Sequence, residues 1–224
     1  MSASLPIEAV ALDKDGVTFD SERIYEASLL QTLAALPNPY PDSPTLVAAC
    51  RGLSCETTAM VLQEKLGVSV DIERFFQQWF ERRDAIIAAQ GMPFISGADT
   101  LIERLYTEGY PLALVTADDM DNVLHDFQRC NKPHLLHYFS VIITADDVAN
   151  TKPDAEPYQR AAAYLGVPPE QMLAIEDSDI GAQAALAAGC PTLLLASDYP
   201  PKPAVAQAVR QIIHHHDEVW ENMT

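Results

Sequence analysis

The fold class that the 224-residue sequence predicts is α/β, a doubly wound parallel sheet with a Rossmann-like core and a small inserted helical domain. Short apolar runs of strand length recur along the chain, and helical patterns alternate with them from Pro93 onward. Residues 20–91 carry helical patterns only. We therefore expect a core made of residues 1–19 and 92–224, and a helical cap domain made of residues 20–91.

Five apolar runs predict the strands of the sheet. Each is short and mostly unbroken by polar residues, which is typical of strands buried on both faces of a parallel sheet. They are Ile7–Leu12, Pro111–Thr116, Ser140–Thr144, Met172–Asp177 and Pro191–Leu195. Alternation of such strands with helices predicts right-handed crossover connections.

The helices of the core are predicted from apolar periodicity and from glycines that follow it. The segments "GADTLIERLYTEG", "DAEPYQRAAAYLG" and "DIGAQAALAAGC" place apolar residues on one face and stop at Gly109, Gly166 and Gly189. Glycine is the common C-terminal cap of a helix. In the insertion, "SERIYEASLLQTLAAL", "TAMVLQEKLG" and "IERFFQQWFERRDAIIAA" predict helices, with "RFFQQWF" in the core of the insertion.

Composition narrows the classes of partner. The net charge of −18 argues against binding to nucleic acid or to an anionic membrane, and no apolar run is long enough to span a bilayer. The opening "MSASLPIEAV" lacks the positive region of a leader, and the four cysteines form no CxxC pair. We expect a cytoplasmic monomer with free thiols.

Polar side chains stand where the predicted strands end. Asp13 and Asp15 follow the first strand, Thr116 ends the second, and Glu176 and Asp177 end the fourth. Lys152 lies in the loop after the third strand. Because ligands of doubly wound sheets bind beyond the carboxyl ends of the strands, we expect these groups to converge. Adjacent carboxylates such as the first two repel each other unless a positive partner is present.

Four segments together resemble the motifs of the haloacid dehalogenase superfamily. They are "DKDGV", the threonine-ending "LALVT", "TKPDAEPY" and "IEDSDIG", each at a strand end and in the same order. The helical insertion is similar to the cap of the subfamily that contains beta-phosphoglucomutase and small phosphate-ester phosphatases. Taken singly, each motif residue has a purely structural interpretation as a turn former, a helix cap or a surface charge.

The resemblance implies a mechanism that passes through a covalent intermediate. Asp13 would be the nucleophile and form an aspartyl-phosphate. Asp15 would protonate the leaving oxygen and then take a proton from water. Lys152 would neutralise charge beside the nucleophile, while Thr116 and the amide of Ala117 would hold phosphate oxygens.

The same resemblance implies a magnesium ion as cofactor. Its ligands would be Asp13, the main-chain oxygen of Asp15 and Asp177, since Mg²⁺ prefers oxygen ligands and retains several waters. Glu176 would hold a metal-bound water. The ion would remove the repulsion between an anionic nucleophile and an anionic ester.

A phosphatase acting on a small phosphorylated metabolite, such as a sugar phosphate, is the leading function. In "RGLS", Arg51 is a candidate substrate contact, but Cys55 stands where mutases carry a second basic residue and Tyr25 where they carry a histidine. These departures favour hydrolysis. A phosphomutase and a non-catalytic metabolite-binding relative remain alternatives. Dehalogenation is disfavoured, because it does not require the general acid that Asp15 would supply.

Two residues depart from the family pattern. Lys14 stands between the two motif aspartates, where an apolar residue is commoner, and it either points away from the site or contacts the cap. Asp118 lies two residues after Thr116, in a segment where small neutral residues are commoner. We expect it to be the N-cap of the helix "DNVLHDFQRC".

Overall fold

The computed structural model describes residues 6–50, 55–67, 70–197 and 200–223, except for the side chains of Cys55 and Glu56. It divides the chain into two units, Met1–Asp20 with Met92–Thr224, and Ser21–Gly91. The first unit holds the strands β1 (Ala9–Asp13), β2 (Leu112–Val115), β3 (Val141–Ile143), β4 (Met172–Glu176), β5 (Thr192–Leu195) and β6 (Gln211–Ile213).

The helices of the described residues follow in chain order. The second unit contains α1 (Ser21–Ala34), α2 (Ser43–Cys50), α3 (Cys55–Leu66) and α4 (Ile72–Gln90). The first unit contains α5 (Ala98–Thr107), α6 (Met120–Arg129), α7 (Glu156–Leu165), α8 (Asp179–Ala188) and α9 (Pro203–Ala208). Short 3₁₀ helices cover Pro133–Tyr138, Ala145–Asp147, Pro169–Gln171 and His216–Asn222. No helix within these ranges is long and apolar enough to cross a membrane.

The six strands form one parallel sheet in the order β3-β2-β1-β4-β5-β6. The predicted α/β fold class is confirmed, and all five predicted strands lie in this sheet. Strand β1 is central: Val10 pairs with Leu112 on one side and with Leu173 on the other. The edge strand β6 was not predicted, because "QII" is only three residues long and has no extended apolar run around it.

Helix ends agree with the predicted glycines in two of three cases. The C-caps of helices α7 and α8 are Gly166 and Gly189, and both glycines adopt the left-handed conformation that favours glycine. The C-cap of helix α5 is instead Glu108, and Gly109 follows it with a φ of 85°. The apolar periodicity therefore located this helix, but its C-cap lies one position before the predicted glycine.

The second unit packs around aromatic side chains of α4. Phe75 and Trp79 pack with Leu29 and Leu33 of α1, and all four side chains are buried. The Trp79 indole nitrogen donates to the Ser28 hydroxyl at 2.9 Å, which fixes the ring at the helix contact. The segment "RFFQQWF" thus belongs to the core of this unit, as predicted.

The chain leaves and re-enters the first unit through two adjacent segments. The amide of Asp20 donates to the Pro93 carbonyl at 2.9 Å, and the amide of Ile95 donates to the Thr18 carbonyl at 3.0 Å. Between these bonds the rings of Phe19 and Phe94 stack with centroids 4.8 Å apart. The connection is therefore a short antiparallel contact with its own aromatic packing.

Candidate active site

Lys152 links the ends of three strands. Its ammonium donates to Asp13 Oδ1 at 2.6 Å, to Glu176 Oε1 at 2.6 Å and to the Val115 carbonyl at 2.9 Å. Its side chain is only 6% exposed, so the interactions lie in a setting where water screens them weakly. The structure thus brings the predicted Lys152, Asp13 and Glu176 into direct contact.

Glu176 is buried and has a second partner that sequence reasoning missed. The hydroxyl of Tyr158, on α7, donates a short hydrogen bond to the same oxygen, Oε1, that Lys152 contacts. The other oxygen, Oε2, is buried without a hydrogen-bond partner among the described residues. Tyr158 lies inside the "TKPDAEPY" motif, but a buried tyrosine on a helix is ordinarily a packing residue, so only its contact identifies it.

The buried carboxyl group of Asp13 has a raised proton affinity. Burial is the largest cause that raises the pKa of Asp13 to about 7, followed by the charge of Glu176, while Lys152 opposes the rise. Burial also disfavours the charged form of Lys152, but Asp13 and Glu176 outweigh it and raise the pKa of the ammonium. Burial, and then Glu176, raise the pKa of Tyr158 well above its ordinary value. One ammonium therefore leaves this group short of positive charge.

The residues fit a small divalent cation. Ligand oxygens of Asp13, Glu176 and Asp177 lie within 4.8 Å of one another. All three are carboxylates, and carboxylate oxygens are ligands that Mg²⁺ prefers. A Cβ at Gly16 would lie 2.0 Å from Asp177 Oδ2, and one at Gly181 would lie 2.0 Å from Glu176 Oε2. Both glycines therefore make room for the carboxylates, and Gly16 also has a φ of 77°.

Asp15 lies in a different cluster of side chains. Its Oδ1 is 3.1 Å from the ammonium of Lys14, which also approaches Asp126 Oδ2 at 2.5 Å and Asp118 Oδ2 at 3.0 Å. The contact with Asp118 is an ion pair without hydrogen-bond geometry. The predicted role of the Asp15 main-chain oxygen as a metal ligand stays a prediction.

The expected N-cap was wrong by one residue. Helix α6 is capped by Asp119, whose Oδ1 accepts the Asn122 amide at 2.7 Å. Asp118 instead turns toward Lys14, because the buried ammonium offers it a charged partner. Neither expectation for Lys14 anticipated this cluster, in which its side chain is fully buried.

The remaining predicted residues lie at the end of β2 or outside the described ranges. Thr116 is buried, its amide donates to the Ile143 carbonyl at 2.9 Å, and its hydroxyl accepts the Asp118 amide at 3.1 Å. The hydroxyl hydrogen can therefore donate elsewhere. Ala117 is exposed. The predicted substrate contact Arg51 lies outside the described residues.

Comparisons with known proteins agree with this arrangement. Residues 10–195 match the family described as haloacid dehalogenase-like hydrolase. A phosphoglycolate phosphatase from Salmonella paratyphi A is 32% identical over 93% of this chain and 88% of its own length. A phosphorylated carbohydrates phosphatase from Thermotoga maritima is 28% identical, over 82% of each chain.

The fold has a close counterpart among solved structures. A candidate beta-phosphoglucomutase from Thermotoga maritima superposes with a TM-score of 0.80 at 25% identity, over 97% of this chain and 98% of that one. The family match covers more than half of the sequence, and the similarity to the first phosphatase extends over nearly all of it. The chain belongs to the haloacid dehalogenase-like hydrolases.

Proposed function

We propose that this chain is a magnesium-dependent phosphatase that hydrolyses a small phosphorylated metabolite, such as a sugar phosphate. The observation that carries the proposal is the contact of the Lys152 ammonium with both Asp13 and Glu176 at 2.6 Å. This ammonium holds one oxygen of a buried carboxylate, so that the other can face a substrate. The names of the phosphatase relatives support the same class of reaction.

In the first step an oxygen of Asp13 attacks phosphorus and forms an aspartyl-phosphate. The ester P–O bond breaks, and its electron pair goes to the leaving oxygen. That oxygen takes the proton of the Asp15 carboxyl group, so the product leaves as a neutral alcohol. Lys152 orients the nucleophile and offsets negative charge on the transferring group.

In the second step water hydrolyses the aspartyl-phosphate. Asp15, now a carboxylate, accepts a proton from the water while the water oxygen attacks phosphorus. The bond between phosphorus and the Asp13 oxygen breaks, which restores the nucleophile and releases inorganic phosphate. Thr116 donates its hydroxyl hydrogen, and Ala117 its amide, to the phosphate oxygens in both steps.

A magnesium ion, when bound, supplies the positive charge that the carboxylates and the substrate phosphate together require. Asp13, Asp177 and the main-chain oxygen of Asp15 would hold it. Glu176 would accept from one of its waters through Oε2, the oxygen that is buried without a partner. This assignment fits the oxygen-only donor set of the site.

Magnesium is expected to stabilise the protein more as the pH rises. Asp13 must ionise before it binds the ion, and its pKa is raised to about 7 in the metal-free protein. At a Mg²⁺ concentration about 100 times the dissociation constant, the melting temperature should rise by about 5–10 °C above pH 8. The increase should shrink steadily toward pH 5. Differential scanning fluorimetry with and without Mg²⁺ measures it.

Two matched variants test the assignment of the ligands. Asp177→Asn should lose most of the stabilisation by Mg²⁺, whereas Asp121→Asn, an exposed aspartate on α6, should keep it. Full phosphatase activity in excess chelator, or an undiminished thermal shift in Asp177→Asn, would refute the metal assignment. Calcium should inhibit, because it is larger and less demanding of octahedral geometry.

A phosphomutase is the second candidate, and the similarity of the fold to a candidate beta-phosphoglucomutase favours it. A mutase must hold the phosphate that does not react. The sequence offers Arg51 for that contact but Cys55 where a second cation would stand. Losing one charge-assisted contact weakens binding by about 1.5–3 kcal/mol. We therefore expect hydrolysis to dominate.

The deciding assay supplies beta-glucose 1-phosphate, glucose 1,6-bisphosphate and Mg²⁺. Inorganic phosphate and glucose 6-phosphate are followed together. We expect phosphate release that does not require the bisphosphate, and little isomer. Isomer formation faster than phosphate release would replace the phosphatase by the mutase. Binding of phosphate esters without either product, across a panel of phosphorylated metabolites, would favour a non-catalytic binding protein.

The cytoplasmic location and the monomeric state are part of the same proposal.

A further inference from the structure

We propose that Lys14 is a positioning residue for Asp15. Its buried ammonium, anchored by Asp126 and Asp118, fixes the Asp15 carboxyl group in the place where the two proton transfers occur. The inference rests on the proposed function and adds a residue that the two proposed steps do not use. It concerns how the acid is placed and leaves the nucleophilic step unchanged.

The Lys14 ammonium contacts a buried carboxylate, Asp126, and a partly exposed one, Asp15. The Lys14 ammonium lies 2.5 Å from Asp126 Oδ2, and the side chains of these two residues are 0% and 8% exposed. The same ammonium donates to Asp15 Oδ1 at 3.1 Å, and the Asp15 side chain is 33% exposed. Asp15 is thus the most exposed member of the cluster, ahead of Asp118 at 28%. Through Lys14 it is connected to helix α6.

A lysine takes the place that a metal ion could occupy in such a cluster. Ligand oxygens of Asp15, Asp118 and Asp126 lie within 4.8 Å of one another, as in a metal site. The Lys14 ammonium, however, is within 3.1 Å of an oxygen from each of them. The cation of this cluster therefore belongs to the chain. The cluster is distinct from the group of Asp13, Glu176 and Asp177.

The two extra carboxylates explain how a lysine can serve beside a proton donor. A lone ammonium would present Asp15 with a full positive charge. Here Asp118 and Asp126 share the same ammonium and offset that charge. Lys14 can then supply a directional hydrogen bond without a net positive field. Fixing a half-exposed side chain is valuable because a misplacement of about 1 Å can reduce a rate about 100-fold.

The test compares two phosphate esters that differ in their need for protonation. An alkyl ester such as glucose 6-phosphate leaves as a basic alkoxide and needs the acid, whereas p-nitrophenyl phosphate leaves without help. In Lys14→Met, kcat/KM should fall about 100-fold for the alkyl ester and less than about threefold for the aryl ester. This ratio reports the step that forms the aspartyl-phosphate. A lysine that only supports the fold would reduce both values equally.

A matched control is Lys132→Met. Lys132 also bridges two carboxylates, Asp99 and Glu103, each at 3.0 Å, but none of them is near a proposed site residue in the described contacts. Its kcat/KM for both esters should stay at the wild-type value. If Lys14→Met does not fold, Asp126→Asn keeps the shape of the anchor and removes its charge. It should give the same selective loss at smaller amplitude.

A double-mutant cycle separates positioning from a general effect. In an Asp15→Asn background, Lys14→Met should cause no further loss with the alkyl ester, because Lys14 acts through Asp15. Losses that multiply, or an equal fall for both esters, would overturn the inference while leaving the phosphatase in place. A wild-type protein that releases no phosphate from either ester would overturn the proposed function, and this inference with it.

Discussion

Asp13→Asn is expected to reduce kcat/KM for phosphate release by at least about 10,000-fold, with the fold intact. An amide oxygen is a poor nucleophile, so the aspartyl-phosphate does not form. Asparagine has the same shape, and Lys152 keeps its contact with Glu176 at 2.6 Å. The variant should therefore purify as a folded protein whose circular dichroism matches the wild type. Steady-state kinetics and trapping of a phosphorylated protein measure the loss.

The same variant should change how stability depends on pH. The pKa of Asp13 is raised to about 7 in the folded, metal-free protein, above its unfolded value, so the folded state binds the proton more tightly. Asp13 therefore reduces stability progressively as the pH rises from about 4 to 7. That decline should be smaller in Asp13→Asn. The exposed Asp121→Asn is the control for both measurements. Phosphate release near the wild-type rate from Asp13→Asn would contradict the covalent mechanism.

Lys152→Met is expected to damage both stability and activity. The variant leaves Asp13 and Glu176 buried without their shared cation, and such a loss destabilises a protein by about 3–5 kcal/mol. The deficit should be larger at pH 8 than at pH 5, because Asp13 is protonated at the lower pH and needs the ammonium less. Mg²⁺ should recover part of it. The rate should fall about 1000-fold, since the transferring group loses a fixed charge.

Chemical denaturation at two pH values, with and without Mg²⁺, measures the changes in the free energy of unfolding. Lys202→Met is the control, because Lys202 is 72% exposed and lies 3.8 Å from Asp179. A surface change of that kind should alter the free energy of unfolding by less than about 0.5 kcal/mol. Equal deficits at pH 5 and pH 8 in Lys152→Met would contradict the pairing that the distances indicate.

The strands and the sites at their ends were predictable because both depend on local pattern. An apolar run followed by a polar residue locates the end of a buried strand, and parallel strands bring those ends to one edge. Asp13 and Lys152 could be paired by that rule although they are 139 positions apart in the chain. The short strand β6 lacked such a run, so no local pattern revealed it.

Contacts made by helix faces were harder to foresee. Lys14 and Asp126 are 112 positions apart. The period of α6 places Asp126 on the same face as Val123 and Phe127, but it does not identify the ammonium that Asp126 contacts. Tyr158 presents the same difficulty, since a core tyrosine and one that binds Glu176 have the same sequence pattern. Choosing Asp119 over Asp118 as the cap depends on where helix α6 begins, which the sequence leaves open by one residue.

The central position of β1 has a consequence for how the protein is made. Val10 pairs with Leu112 and Leu173, so the first strand to leave the ribosome must wait for partners roughly 100 and 160 residues later. Helices of the second unit depend on nearby contacts and can form during that wait. Asp13 meets Glu176 only after β4 has been synthesised. A nascent or truncated chain that ends before β4 therefore has a strand without its neighbour and a candidate site without half of its carboxylates.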